Sequence, residues 1–257
     1  MNTLFAGSPD GTRVAYDCSG TGPAIVLLHG GGGNRQEWHK AGYIRRLRSN
    51  HTVIAVDLRG HGESDSPTDP AGYTVEKMTQ DILAAADACR VKRFVLWGMS
   101  YVGKVGSYLA VQSERVAKLV LLGTPLGPGV TGERRQQAID FCEHWPPIVQ
   151  AQRDGVLNLG SLSQRDQEFL GSFNVAAMLG WVKTMLDWGA VEPGDLRCPT
   201  LWLVGSEDRH AMASVKAHAK ALKGSLVQAS ILEGLTHEQV FDKMDRVLPM
   251  MVAFTEA

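Results

Sequence analysis

The chain predicts an α/β fold: a doubly wound, mostly parallel sheet flanked by helices, with a helical insertion. Three observations carry this expectation. Short apolar runs alternate with longer amphipathic stretches, the rhythm of βα units. The runs are almost continuously apolar, as in strands covered on both faces. The alternation then stops between Leu122 and Leu201, where no strand-like run occurs.

The elements follow in order. Thr12-Arg13-Val14-Ala15-Tyr16 alternates and reads as part of an antiparallel edge hairpin. Ala24-Ile25-Val26-Leu27-Leu28 is the first buried strand. Asn34 is suited to cap a helix running to about Arg48, and Val53-Ile54-Ala55-Val56 is the second strand. Thr74 starts a helix with Val75, Met78, Ile82 and Leu83 at helical spacing. Residues 94–97 form the third strand, residues 101–111 a helix, and Leu119-Val120-Leu121-Leu122 the fourth strand. Gly127-Pro128-Gly129 then opens helix-like segments rich in aromatics and methionines. Such a length exceeds what a crossover needs. It predicts a helical lid over residues 126–193, inserted into a core domain made of residues 1–125 and 194–257. Trp145, Met178 and Trp181 are its candidate substrate-binding residues. Leu201-Trp202-Leu203-Val204 is the fifth strand, residues 227–232 form another apolar run, and residues 213–222 and 237–254 read as helices.

Composition narrows the function classes. The 257 residues are 44% hydrophobic and 21% charged, with a net charge of −1, so nothing electrostatic argues for nucleic acid or an anionic membrane. Arg45, Arg46 and Arg48 cluster at the end of a helix, where they favour the helix dipole in a solvated setting. No apolar stretch is long enough to span a membrane, and no basic-then-apolar leader precedes Asp10. Cys18, Cys89, Cys142 and Cys198 are far apart, with no C-x-x-C pair. Reduced cysteines in a cytoplasm are the simpler reading, and neither a metal nor an organic cofactor is expected.

The chemistry is concentrated at the ends of the apolar runs. Residues 94–97 lead into Gly98-Met99-Ser100, which places a serine on a sharp strand-to-helix turn with backbone N–H groups behind it. The first strand runs into His29-Gly30-Gly31-Gly32-Gly33, and four consecutive glycines let backbone N–H groups approach a ligand oxygen. No Gly-Lys-Ser/Thr follows, so this is not a phosphate-binding Walker loop. The second strand runs into Asp57-Leu58-Arg59-Gly60-His61, where Asp57 and Arg59 are suited to brace the site through charge-assisted hydrogen bonds. After Val204 comes Glu207-Asp208, and after residues 227–232 comes Thr236-His237. A serine, an acid and a histidine thus fall on one rim of the inferred sheet. A hydroxyl needs a base to become a nucleophile, and the base needs an acid to hold its tautomer.

Together the His29-Gly30 turn, Asp57-x-Arg59-Gly60-His61-Gly62-x-Ser64, Gly98-Met99-Ser100, Gly205-x-x-Asp208 and Thr236-His237 resemble the α/β-hydrolase fold family, in its lid-bearing serine esterase and lactonase-like branch. The resemblance implies Ser100 as nucleophile, His237 as base, Asp208 as orienting acid, and an oxyanion hole from the N–H groups of Gly31 and Tyr101. Glu207 is the nearest rival to Asp208. The family's other acid position reads Gly123-Thr124-Pro125 here, without a carboxylate. The pattern G-x-S-x-G is broken by Val102, with Gly103 one step late. Serine rather than aspartate at the elbow points to attack on a carbonyl, hence a carboxylic ester hydrolase acting on a small ester or lactone. The alternatives are an enol-lactonase, a carbon–carbon bond hydrolase of a ring-fission product, or a receptor-like binding protein with little turnover. Arg134, Arg135 and Lys183 are candidates for reading a carboxylated substrate.

Overall fold

The computed structural model describes residues 3–257; the first two residues of the 1–125 segment lie outside them. The chain begins with the antiparallel hairpin β1 (Leu4–Gly7) and β2 (Arg13–Ser19), then β3 (Ala24–Leu28). Two short helices follow, α1 (Gln36–Lys40) and α2 (Tyr43–Leu47), and then β4 (Thr52–Val56), α3 (Val75–Ala88) and β5 (Phe94–Met99). Next come α4 (Ser100–Gln112) and β6 (Val116–Leu122). Three helices stand between β6 and the next strand: α5 (Gly132–Arg153), α6 (Gln164–Ser172) and α7 (Val175–Met185). The chain closes with β7 (Thr200–Gly205), α8 (Arg209–Ala217), β8 (Val227–Leu232), α9 (Gln239–Asp242) and α10 (Met244–Glu256).

The strands form one sheet in the order β1-β2-β4-β3-β5-β6-β7-β8. It is parallel from β4 through β8, and β1 and β2 add the expected antiparallel edge. Both faces are covered, as the unbroken apolar runs require. Along β3, Val26 and Leu28 join the core with α3 and α4, whereas Ile25 and Leu27 join the opposite core with α2 and α10. Because every parallel strand points the same way, the loops after β3, β4, β5, β7 and β8 gather at one edge. That edge is where open α/β sheets bind ligands.

Three helix boundaries differ from expectation. The segment after Asn34 is two helices, because Gly42 sits at φ +86° and breaks the register. Asn34 still accepts a hydrogen bond from Gln36 N at 3.0 Å. The last segment is broken at Lys243, whose ψ of +53° is not helical. The helix placed at residues 213–222 instead begins at Arg209, because the Asp208 side chain caps it through Ala211 N at 3.1 Å. Thr74 caps α3, as its position implies.

The helices between β6 and β7 carry a small core of their own. Trp145, Ile148, Val149 and Val175 are buried together, with Phe169 stacked on Trp145 at 5.3 Å between centroids. The other face of α7 joins the main core through Ala177, Trp181 and Met185. Among the described residues no helix is long and apolar enough to cross a membrane. Nor do any three His, Cys, Asp or Glu side chains there form a group able to hold a metal ion.

Candidate active site

β5 ends at Met99 and α4 begins at Ser100 with no intervening loop, so the serine takes a left-handed conformation, φ +56°. Only one other described non-glycine residue, Arg90, does so. Such strain survives where surrounding packing over-determines it. Here the packing is a glycine contact: a Cβ on Gly98 would fall 2.6 Å from Gly103 Cα, and one on Gly103 would fall 2.6 Å from both Gly98 C and Thr124 Oγ1. The close approach of strand and helix therefore uses Gly103, one residue later than the family pattern. Val102 is free to point into the core, where it is buried.

Three loops bring the predicted polar residues together. Ser100 Oγ lies 2.9 Å from His237 Nε2, and His237 Nδ1 lies 2.6 Å from Asp208 Oδ2. A carboxylate can only accept, so Nδ1 carries the proton and Nε2 accepts from the serine hydroxyl. Ser100 and Asp208 are buried, while the His237 side chain is about one-third exposed. Burial alone pushes the Asp208 carboxyl up, but the hydrogen bonds from His237 and from the Ala211 and His210 backbone outweigh it and hold the group below the ordinary carboxylate range. Glu207 is exposed, one residue away on the same loop, and does not meet the histidine.

The glycine turn lies beside Ser100. Gly31, Ser100 and Tyr101 line a chamber of about 460 Å³. The Tyr101 amide is in the first turn of α4, where helix geometry leaves N–H groups without an intrahelical acceptor. Behind the turn, His29 Nδ1 donates to Gly30 O at 2.7 Å, and its Nε2 accepts from Leu58 N at 3.3 Å. Burial drives the His29 pKa down to about 4, so the ring is neutral and can make both bonds.

The Asp57–His61 stretch forms the brace its composition suggests. Asp57 accepts from Arg35 N at 2.6 Å, from Glu63 N at 3.0 Å and from the Arg35 guanidinium. Arg59 pairs with Asp81 and Asp10, each at 2.7 Å. Arg35 and Asp81 were not legible as site-supporting residues; each looks like an ordinary charge on a helical segment until the fold buries it.

Two of the three insertion candidates reach the chamber. Trp181 and Met178 line it, and a Cβ on Gly31 would meet the Trp181 ring at 3.6 Å. Trp145 does not. It is packed with Phe169 and Val175 in the separate helical core, because α5 turns that face away from the sheet. Phe173, unremarkable in sequence, packs instead against the turn at Gly32. Of the three basic candidates, Arg134 lines the chamber, Lys183 is exposed, and Arg135 donates to Leu186 O at 2.7 Å. A second chamber of about 590 Å³ opens on the other side of Ser100 and His237, lined by Glu37, Lys40, Phe241 and Asp242. Sequence spacing carried no signal for it.

Comparisons with known proteins bear on the family and the fold. The family model for the alpha/beta hydrolase fold matches residues 23–170. A curated Bacillus subtilis protein, provisionally named 2-succinyl-6-hydroxy-2,4-cyclohexadiene-1-carboxylate synthase, is 31% identical over 140 residues, covering 53% of this chain and 50% of that protein. The match thus spans half of that relative's length. An esterase from Exiguobacterium antarcticum superposes with a TM-score of 0.78 at 21% identity, covering 100% of both chains. The enol-lactonase of Burkholderia xenovorans LB400 superposes with a TM-score of 0.73 at 22% identity, covering 99% of this chain and 100% of that one. These two likenesses concern the fold. The extent of the family match, joined to the sheet order and the serine elbow, makes the chain a member of the α/β-hydrolase family.

Proposed function

We propose that the protein is a serine hydrolase that cleaves a small carboxylic ester through an acyl-enzyme. The observation that carries this reading is the continuous hydrogen-bonded series Ser100 Oγ, His237, Asp208 beside a glycine turn. His237 Nε2 removes the Ser100 proton as Oγ bonds to the ester carbonyl carbon. The N–H groups of Gly31 and Tyr101 hold the negative charge that develops on the carbonyl oxygen. Asp208 stabilises the imidazolium. Collapse of the tetrahedral species breaks the ester C–O bond, and His237 gives its proton to the leaving alcohol. Water, deprotonated by His237, then attacks the acyl-enzyme, releasing the acid and restoring Ser100.

In this reading residues 126–193 act as a lid, with Trp181 and Met178 forming the apolar roof of the chamber. Enol-lactone and carbon–carbon bond hydrolysis use the same serine, base and acid, so the substrate panel separates them from simple ester cleavage. Turnover of chromogenic esters from acetate to octanoate, measured for wild type beside Ser100→Ala, tests the proposal. Wild-type turnover with a fall of several orders of magnitude in the variant is expected. Equal turnover by the two proteins overturns the role of Ser100. A protein that binds esters without cycling is a receptor rather than an enzyme.

A further inference from the structure

One buried charge has no part in the mechanism above. Lys104 lies one turn after Ser100 on α4 and is only 1% exposed. Its ammonium donates to the carbonyls of Pro128 and Gly129, the latter at 3.2 Å. A lysine ammonium has three donors, so one is left over. Among the described residues no carboxylate is its ion-pair partner. Glu192 acts on it from a distance and is itself held by His218 at 3.0 Å. Burying a cation on neutral carbonyls alone is costly. Accordingly burial, only partly offset by Glu192, pushes the Lys104 pKa down to about 7.

Lys104 lines a cavity of about 250 Å³ together with Arg134, His210 and His218, and no described carboxylate lines it. Tyr101, Pro125, Arg134 and His210 also line the chamber that holds Ser100, so the two volumes are neighbours. Arg134 spends one nitrogen on Gln137 Oε1 at 3.2 Å, which leaves most of its guanidinium free. Ser100 and Lys104 are four residues apart on one helix, about 6 Å along its axis. Four-residue spacing puts Lys104 on the face of α4 that carries Ser100.

We infer that this basic side chamber is a carboxylate subsite, so that the substrate is an ester bearing a free carboxylate received by Lys104 and Arg134. The inference rests on the serine-hydrolase reading and narrows its substrate class. The anion supplies the missing partner of the buried ammonium, and Arg134 offers a planar pair of donors at the chamber wall. His210 stands at the junction of the two volumes. Both chambers that meet Ser100 are lined by carboxylates, Glu207, Asp208 and Glu238 in one and Glu37, Glu238 and Asp242 in the other, whereas the side chamber has none among its described lining residues.

The test compares monoethyl glutarate with ethyl valerate, followed by acid release, in wild type, Lys104→Met and Arg134→Gln. Wild type is expected to favour the hemiester at least tenfold in kcat/KM. Each variant is expected to lose that preference through KM, by about ten- to a hundredfold for Lys104→Met, the range for a hydrogen bond to a charged group. A wild-type ratio near one, or a ratio unchanged in both variants, overturns the subsite. Because Lys104→Met could fail to fold, glutarate is also titrated calorimetrically into folded Ser100→Ala, with 1,5-pentanediol as the uncharged control. Binding of glutarate but not the diol supports the subsite, and binding of neither contradicts it. Turnover of ethyl valerate without hemiester preference keeps the serine hydrolase and removes the subsite. Glutarate binding without turnover of either ester keeps the subsite and removes simple ester hydrolysis.

Discussion

Asp208 and His237 are joined at 2.6 Å through Oδ2 and Nδ1, while the other carboxylate oxygen of Asp208 caps α8 through Ala211 N at 3.1 Å. One side chain thus fixes a helix start and an imidazole tautomer. The two duties separate in Asp208→Asn. Asparagine is as good a cap as aspartate, so the melting temperature should shift by only a few degrees. The charge that stabilises the imidazolium is lost, and kcat should fall by about 10⁴-fold. Ester kinetics beside a thermal melt checks both. Unfolding of the variant, or activity near wild type, would contradict this division.

The contact between Gly98 and Gly103 predicts that the elbow is intolerant at the later glycine. A methyl group on Gly103 meets Gly98 C and Thr124 Oγ1, each at 2.6 Å. Gly103→Ala should cost about 1–3 kcal/mol, read from urea unfolding, and should lower kcat by disturbing Ser100. Val102→Gly restores the family spelling but empties a buried site. It should destabilise the protein without raising activity.

Trp181 and Trp145 are both buried tryptophans of the helical insertion, yet they should respond differently. Trp181 roofs the chamber over Gly31, so Trp181→Ala should move the optimum of an ester series towards longer acyl groups. Trp145 belongs to the separate helical core, and Trp145→Ala should cost about 3–5 kcal/mol while leaving the chain-length optimum in place. Kinetics across the acetate-to-octanoate series, with urea unfolding for each variant, distinguishes them.

Two buried histidines make the fold acid-sensitive. Burial lowers His61 to about 3, with His29 adding to the effect, and lowers His29 to about 4. Both rings are neutral in the native state, and each has an ordinary unfolded value near 6.5. The unfolded chain therefore binds more protons below that value. The contribution is fully present above about pH 6.5 and is lost as pH falls towards the folded values. Between pH 7 and 5 a single such histidine removes about 2 kcal/mol. His61→Gln, which keeps a donor for the Arg59 carbonyl at 3.1 Å, should be less stable than wild type at pH 7 but lose less on acidification. Urea midpoints at the two pH values measure the slopes.

Much of this architecture could be read from local pattern. The strands that carry the site are short runs, mostly apolar, with Gly, Asp or Ser within the next residues, and those endings mark the rim; β8 is the least apolar, with Gln228 exposed. Ser100, Asp208 and His237 were legible because each follows such a run. What stayed hidden depends on packing between distant segments. Trp145 and Trp181 both lie on helical segments with other apolar side chains at helical spacing, and the rotation of α5 and α7 decides which meets the glycine turn. Gly42 and Lys243 break helices whose apolar spacing continues through them. Lys104 looks like a solvated helix charge, since nothing local says that the Pro128-Gly129 loop folds over it.

The most direct measurement is the site and stoichiometry of labelling by an alkyl fluorophosphonate, read by intact-mass and peptide-mass spectrometry. One adduct per chain on the peptide containing Ser100, lost in Ser100→Ala and strongly slowed in His237→Ala, is the expected result. No adduct, or an adduct that persists when Ser100 is replaced, would contradict a nucleophilic Ser100.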